Sequence, residues 1–125
     1  MTQRQALDLW RRALTAYVRS EDSDMTARQQ AVMMTVALTP GPHTVRGLAS
    51  QLNIAKPAIT RALDVLAKQG FIKRIPDPAD LRSVHIERTV EGMTWLRGFG
   101  SLILEAETGD TAPDARAGKG DRAVA

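Results

Sequence analysis

At 125 residues the chain has single-domain length, enough for one core without covalent staples. It contains no cysteine, which excludes disulfides, thiolate metal sites and cysteine redox sensing, and its two histidines, His43 and His85, are too few for a convincing metal site. The formal charge is only +3, but it is unevenly spread: six bases and one acid fall between Thr44 and Arg74, so the rest of the chain is slightly acidic.

The opening residues, Met1 to Arg12, lack the apolar core of a secretory signal. No apolar run approaches the ~20 residues of a membrane helix. The expectation is a cytoplasmic protein with no membrane partner. From Gln3 to Ser20 the pattern is that of an amphipathic helix, with Leu7, Trp10, Leu14 and Tyr17 on one stripe and Val18 beside it. Arg4, Arg11, Arg12 and Arg19 lie off the stripe. Such a basic helix can lie on a membrane or bind a partner; packing of the stripe against the rest of the fold is the reading adopted. Glu21 to Asp24 form a polar break.

Thr26 and Gln29 have the spacing of a capping box and open a second helix. Its candidates for burial are Ala31, Val32, Met34, Thr35, Val36 and Leu38. Met33 and Met34 are read as gap-filling core residues rather than soft ligands. Pro40, Gly41 and Pro42 end this helix.

The reader unit spans residues 44–88. Thr44 is placed to cap a short helix that turns Leu48, Ala49 and Leu52 inward, with Ala49 as the small residue at a steep helix crossing. Asn53 falls where the chain must turn sharply and tolerates the left-handed conformation. Ile54 is buried after the turn, and Ile59, Ala62, Leu63 and Leu66 recur at helical spacing. The outward face of this second helix then carries Lys56, Pro57, Thr60, Arg61, Asp64 and Lys68. A helix-turn-helix presents such a face to the DNA major groove, whereas an ordinary helical hairpin would merely solvate it. Six bases (Arg46, Lys56, Arg61, Lys68, Lys73, Arg74) against Asp64 favour phosphate contact. Pro57 sits in the first turn, where its missing N–H costs little. Lys56 suits a phosphate, while Thr60 and Arg61, one turn deeper, suit base edges. Asp64 is open to three readings: accepting from cytosine, repelling wrong docking, or pairing with Arg61 or Lys68.

Gly70 is placed to end that helix. Phe71 to Ile75 form a candidate strand, Pro76 to Asp80 are rich in turn formers, and Val84 to Arg88 alternate as a return strand would. A hairpin in this position is a wing. Thr89 caps a last helix running to about Glu107. Its apolar residues (Val90, Met93, Trp95, Leu96, Phe99, Leu102, Ile103 and Leu104) form too wide a band for one face, and a second copy of the chain is the simplest cover. Gly98 and Gly100 weaken this helix. Residues 108–125 have no apolar period and are expected to form a disordered tail.

Three motifs carry a family resemblance: Gln69-Gly70-Phe71-Ile72, then Asp77-Pro78-Ala79-Asp80-Leu81-Arg82-Ser83, then Thr89-Val90-Glu91-Gly92. Together they resemble the MarR family of bacterial winged-helix regulators over roughly Thr26 to Leu96. The resemblance implies that Arg82 enters the minor groove, that Asp80 helps orient it, and that the helix from Lys56 reads the major groove. It also implies a crevice for small aromatic effectors. Trp10, Tyr17 and Trp95 are candidates to line it, with plain core packing as the competing role. The chain departs from the family pattern in carrying Arg88 where a leucine is usual, and in ending without the usual further C-terminal helix.

The fold class expected is mainly α with a small β-hairpin wing, a winged helix-turn-helix over residues 1–107 with flanking dimerisation helices. The function expected is sequence-specific binding of double-stranded DNA by a homodimer, with repression implied by the resemblance. Arg46, Lys56, Pro57, Thr60, Arg61, Lys68, Lys73, Arg74, Arg82 and Ser83 are the candidate DNA contacts. The alternative is a winged-helix protein-interaction module, an adaptor or antagonist of another regulator. No catalytic constellation or cofactor motif is recognisable. Replacing Arg61 by alanine is expected to relax specificity at one base position, at ~1–3 kcal/mol, whereas Lys56→Ala and Lys73→Ala weaken all duplexes alike and flatten the salt dependence. Competition binding across single-base variants of a bound duplex checks this; a uniform loss for Arg61→Ala would remove it as a base reader.

Overall fold

The elements follow the order α1 (Gln3–Arg19), α2 (Ala27–Leu38), α3 (Val45–Leu52), α4 (Lys56–Lys68), β1 (Ile72–Asp77), β2 (Asp80–Arg88) and α5 (Val90–Glu107). This computed structural model describes residues 1–22 and 24–109; the expected tail lies outside them from residue 110 onward. Where one domain is expected from length, two compact units emerge, one of residues 25–96 and one that joins residues 1–24 to those from 97 onward.

In the 25–96 unit, α2 begins with the expected capping box: Thr26 Oγ1 accepts from the Gln29 N–H and the Gln29 side chain accepts from the Thr26 N–H. Its inward face is Val32, Met33, Val36 and Ala37: Val32 and Val36 are buried as expected, and Met33 is core, whereas Ala31, Met34 and Thr35 are only partly buried and Leu38 is exposed. Those four positions keep helical spacing, and Leu38 falls off their stripe. Against them lie Leu48 of α3 and Ile59, Leu63 and Leu66 of α4, all but sealed from solvent. Ala49 is only half-buried. α3 ends as anticipated: Asn53 takes the left-handed conformation (φ 55°, ψ 48°), and the Ile54 N–H donates to the Ala49 carbonyl at 3.0 Å.

The end of α4 is closed by a Schellman arrangement. Gly70 has φ +82°, its N–H donates to Ala67 O and the Phe71 N–H donates to Leu66 O, each at 2.9 Å. Strand β1 leaves from this cap. β1 and β2 pair antiparallel from Ile72–Arg88 inward, and the Ile86 N–H also donates to the His43 carbonyl at 2.8 Å, which ties the segment before α3 to the hairpin.

The Thr89-x-x-Gly92 motif fastens α5 to the same cap. The Thr89 hydroxyl donates to Gly70 O at 2.6 Å and accepts from the Gly92 N–H at 2.9 Å, while the Thr89 N–H donates to Phe71 O. Arg88, the departure from the family pattern, donates through Nη1 to Ala37 O at 2.6 Å and so satisfies a free carbonyl at the end of α2. Phe71 stacks on Trp95, with centroids 5.5 Å apart.

In the second unit, α1 buries Ala13, Ala16 and Tyr17. Trp10 and Tyr17 both stand edge-on to Phe99, at 6.5 and 5.3 Å. Arg12 donates from Nε and Nη2 to Ala106 O, which satisfies a carbonyl in the last turn of α5, and its Nη1 pairs with Asp8. The hydrogen bond from Arg11 holds the Asp8 carboxyl below its ordinary value, against an opposing effect of desolvation, with the charges of Arg11, Arg12 and Arg4 adding to the lowering. The stripe expected to pack inward is mostly outside it: Leu7 and Val18 are each 70% exposed, and Trp10 and Leu14 are also open. The inward line instead passes through Ala13, Ala16 and Tyr17.

At Gly92 a Cβ would overlap the Phe71 carbonyl oxygen and stand 2.7 Å from Met33 Cε and 3.1 Å from the Phe71 carbonyl carbon. Gly92→Ala is therefore expected to destabilise the protein by ~1–3 kcal/mol, the range for forced overpacking. At Gly98 nothing lies within 4 Å, and Gly98→Ala should stabilise by ~0.5–1 kcal/mol. Urea unfolding of the pair checks this, and equal effects would contradict the close approach at Gly92.

Candidate nucleic-acid interface

α4 buries Ala58, Ile59, Ala62, Leu63 and Leu66, and that stripe decides what faces out. Lys56, Pro57, Thr60, Arg61, Asp64 and Lys68 are all exposed, as the periodicity requires. Pro57 lies in the first turn, and the capping position, Ala55, supplies no side-chain hydrogen bond. Pro57 has no N–H to satisfy, and the Ala58 and Ile59 N–H groups donate to the Ala55 carbonyl at 3.0 and 3.1 Å, so the helix opens without needing a side-chain cap.

Asp64 has a partner that the helical spacing did not offer. Its Oδ1 accepts from Arg74 Nη2 at 2.7 Å, across from α4 to β1. Of the two acid-pairing candidates read from the sequence, neither Arg61 nor Lys68 is used. Among the described residues, Lys56, Arg61 and Lys68 make no ion pair, so the pairing cancels the one acid on the face and leaves three uncompensated bases on it. Arg74 is correspondingly committed within the fold. Lys73, its neighbour, is exposed and faces Glu87 across the ladder.

The wing is longer than the sequence suggested and its turn tighter. The loop is only Pro78–Ala79, because Asp77 pairs with Asp80. The next pair is Pro76 with Val84, so a single step on β1 spans Leu81, Arg82 and Ser83 on β2. Pro76 has no N–H to give the ladder, which weakens regular pairing at that point and accommodates a bulge. Two carboxylates brace the tip: Asp77 Oδ1 accepts from the Ala79 N–H at 2.9 Å and Asp80 Oδ1 from the Arg82 N–H at 3.1 Å. Asp77 also lies 3.4 Å from His85 Nε2.

The Arg82 side chain is 96% exposed, with Nε 3.7 Å from Asp80 Oδ1. Asp80 thus holds the backbone under Arg82 and stands beside its guanidinium. Arg82, Ser83 and Asp80 share a cleft of about 510 Å³ with Thr44, Val45 and Arg46. The structure therefore brings Arg46 beside the bulged strand near the wing tip, although it lies 36 positions before Arg82 in the chain. Thr44 caps α3 there by accepting from the Gly47 N–H at 3.0 Å. Sequence reading missed the Asp64–Arg74 pair, the bulge and this cleft; all three depend on the hairpin's register, for which a single sequence carries only weak signals.

Of the aromatics proposed for an effector crevice, Tyr17 and Trp95 are buried and Trp10 is 48% exposed. Trp10 and Tyr17 belong to the unit containing α1, and Trp95 to the unit of residues 25–96. No group of three or more His, Asp or Glu is arranged to hold a metal among the described residues, and no described helix is long and apolar enough to cross a membrane.

Comparison with known proteins agrees with this geometry. A profile of the MarR family matches residues 25–84, which take in α2, the helix-turn-helix and most of the wing. The HTH-type transcriptional repressor YetL of Bacillus subtilis is 42% identical over 52 residues, or 42% of this chain and 31% of that protein. The chain matches at most 47% of the length of such curated relatives. Among solved structures, an S. aureus MepR–DNA complex superposes with a TM-score of 0.70 at 21% identity, covering 91% of this chain and 90% of that one. S. aureus MepR bound to ethidium bromide gives 0.62 at 22% identity, covering 82% and 72%. At these identities the structural likeness speaks to the fold, and the sequence match to the lineage. Over residues 25–84, which hold the helix-turn-helix and most of the wing, the chain is similar to the MarR family, and its fold is that of a winged helix-turn-helix protein.

Proposed function

We propose that the protein is a transcription regulator, a repressor, that binds a near-palindromic site on double-stranded DNA as a homodimer. The observation that carries this reading is the exposed cationic face of α4 beside an almost fully exposed Arg82 on a braced wing. Lys56 and Lys68 contact phosphates, with Pro57 setting the first turn that brings Lys56 forward. Thr60 and Arg61 reach base edges in the major groove. Arg82, oriented by Asp80, enters the adjoining minor groove, where narrow A·T-rich segments carry the strongest negative potential. Arg46, Ser83 and Lys73 add backbone contacts around the wing. Arg74 contributes by neutralising Asp64 rather than by its own phosphate contact.

The homodimer rests on the open apolar residues of the helices outside the reader unit: Leu7, Trp10, Leu14 and Val18 recur along α1, and Leu104 of α5 is 65% exposed. Apolar side chains repeated along one helix and left open in a single chain are the mark of a covered interface. A small aromatic effector belongs to the same proposal, supported by the half-exposed ring of Trp10 and by the ethidium-bound relative.

Selection of bound sequences from random duplexes is the direct test. The expected product is a near-palindrome with half-site centres ~34 Å apart, one helical turn. Affinity is expected to fall steeply with salt. A chain that binds no duplex even in dilute buffer, while remaining folded, would leave the fold serving as a protein-interaction module instead.

A further inference from the structure

The geometry points to Leu81 as a second reader on the wing, an apolar side chain that packs into the minor groove next to Arg82 and sets the preferred base step there. This inference rests on the DNA-binding reading above and deepens it. It starts from the register of the hairpin. One step on β1, from Pro76 to Asp77, spans the three residues Leu81, Arg82 and Ser83 on β2. A bulge of this kind re-aims side chains that a regular ladder would have laid along its faces.

What the bulge offers is specific. The Arg82 side chain is 96% exposed and Leu81 is 79% exposed, the most open leucine or isoleucine on the wing. A solitary exposed leucine on a surface needs no explanation. Leu81 differs because its exposure is built. The segment that presents it is fixed on both sides, by the Asp77 carboxylate on the Ala79 N–H and by the Asp80 carboxylate on the Arg82 N–H. Its backbone neighbour is the cation expected to enter the groove. A side chain adjacent to that cation reaches the same stretch of duplex.

The chemistry of the groove separates the two residues. Acceptors on A·T pairs line its floor and attract a guanidinium. Its walls are deoxyribose C–H surface, which a leucine can cover and an ammonium or carboxylate cannot without desolvation. Apolar wedges of this kind also lodge at base steps that open easily, chiefly pyrimidine–purine steps such as TA. Leu81 therefore reads deformability where Arg82 reads potential. Its contribution is nearly independent of salt, because it releases no counterion.

The test compares the native chain with Leu81→Ser, Leu81→Met and Arg82→Ala on the duplex recovered from random selection and on variants of it at the wing-contacted steps. Leu81→Ser is expected to lose about tenfold in affinity on the selected duplex, the effect of failing to bury roughly half a leucine side chain. It should lose preference for the flexible step and keep the native salt slope. Leu81→Met should restore both affinity and preference. Arg82→Ala should lower the salt slope by about one phosphate equivalent. Because Leu81 is exposed, thermal unfolding of all variants should match the native chain within a few degrees. Native affinity and step preference in Leu81→Ser, with the native chain still selecting a sequence, would overturn the role of Leu81 alone. So would a loss that is equal on every duplex. A native chain that selects no sequence would remove the DNA-binding reading and this one together.

Discussion

Everything on the reading side of the protein hangs from the cap that closes α4. Gly70 turns the chain through a left-handed residue, Phe71 returns a hydrogen bond to Leu66, and β1 departs in a direction set by those two bonds. Thr89 then hooks the Gly70 carbonyl, and Gly92 lets α5 touch the Phe71 backbone. Helix, wing and the start of α5 are thereby joined through the N–H and C=O groups of two consecutive residues, Gly70 and Phe71. The two-groove reading proposed above requires this, because the angle between helix and hairpin could not then be left to a flexible loop. The Asp64–Arg74 pair adds a second strut between α4 and β1, farther from the cap. Both of its side chains are substantially exposed, so it orients more than it stabilises.

Charge follows from the same arrangement. The acid that α4 displays is matched within the fold, and the bases that remain lie along the side of the helix away from the core. Neutralising Asp64 with a residue of the wing rather than of α4 leaves Arg61 and Lys68 at liberty for a ligand. The wing tip uses acids differently: Asp77 and Asp80 spend their carboxylates on backbone N–H groups, and this stiffens a segment whose outward charge is the guanidinium of Arg82.

Much of this was legible in the residues. The capping box of Thr26 and Gln29, the left-handed Asn53, the buried stripe of α4 and the glycine stop at Gly70 each follow from local rules that a single segment satisfies by itself. The readings that needed revision involve partners distant in sequence. Helical spacing offers Asp64 partners within α4, and Arg74 of β1 meets it instead. The hairpin was read with a five-residue turn and has a two-residue one, because pairing resumes beyond a bulge that only the opposite strand reveals. In α1 the large apolar residues suggested the inward face, yet Ala13 and Ala16 occupy it. An apolar stripe says that a surface will be covered and does not say by what; here Leu7, Trp10, Leu14 and Val18 remain open in the single chain. The motif Thr89-x-x-Gly92 was recognisable as a pattern before its cause was visible, and its cause is the contact with Phe71.

In the proposed complex one rigid body reads a major groove and the adjoining minor groove together. Dimethyl sulfate footprinting addresses both grooves in one reaction, since it methylates guanine N7 in the major groove and adenine N3 in the minor. On a bound duplex, guanines at each half-site centre are expected to be protected, flanked at a fixed offset by protected adenines on the outer side. Protection confined to one groove, or adenine protection that moves relative to the guanines from one bound duplex to the next, would contradict it.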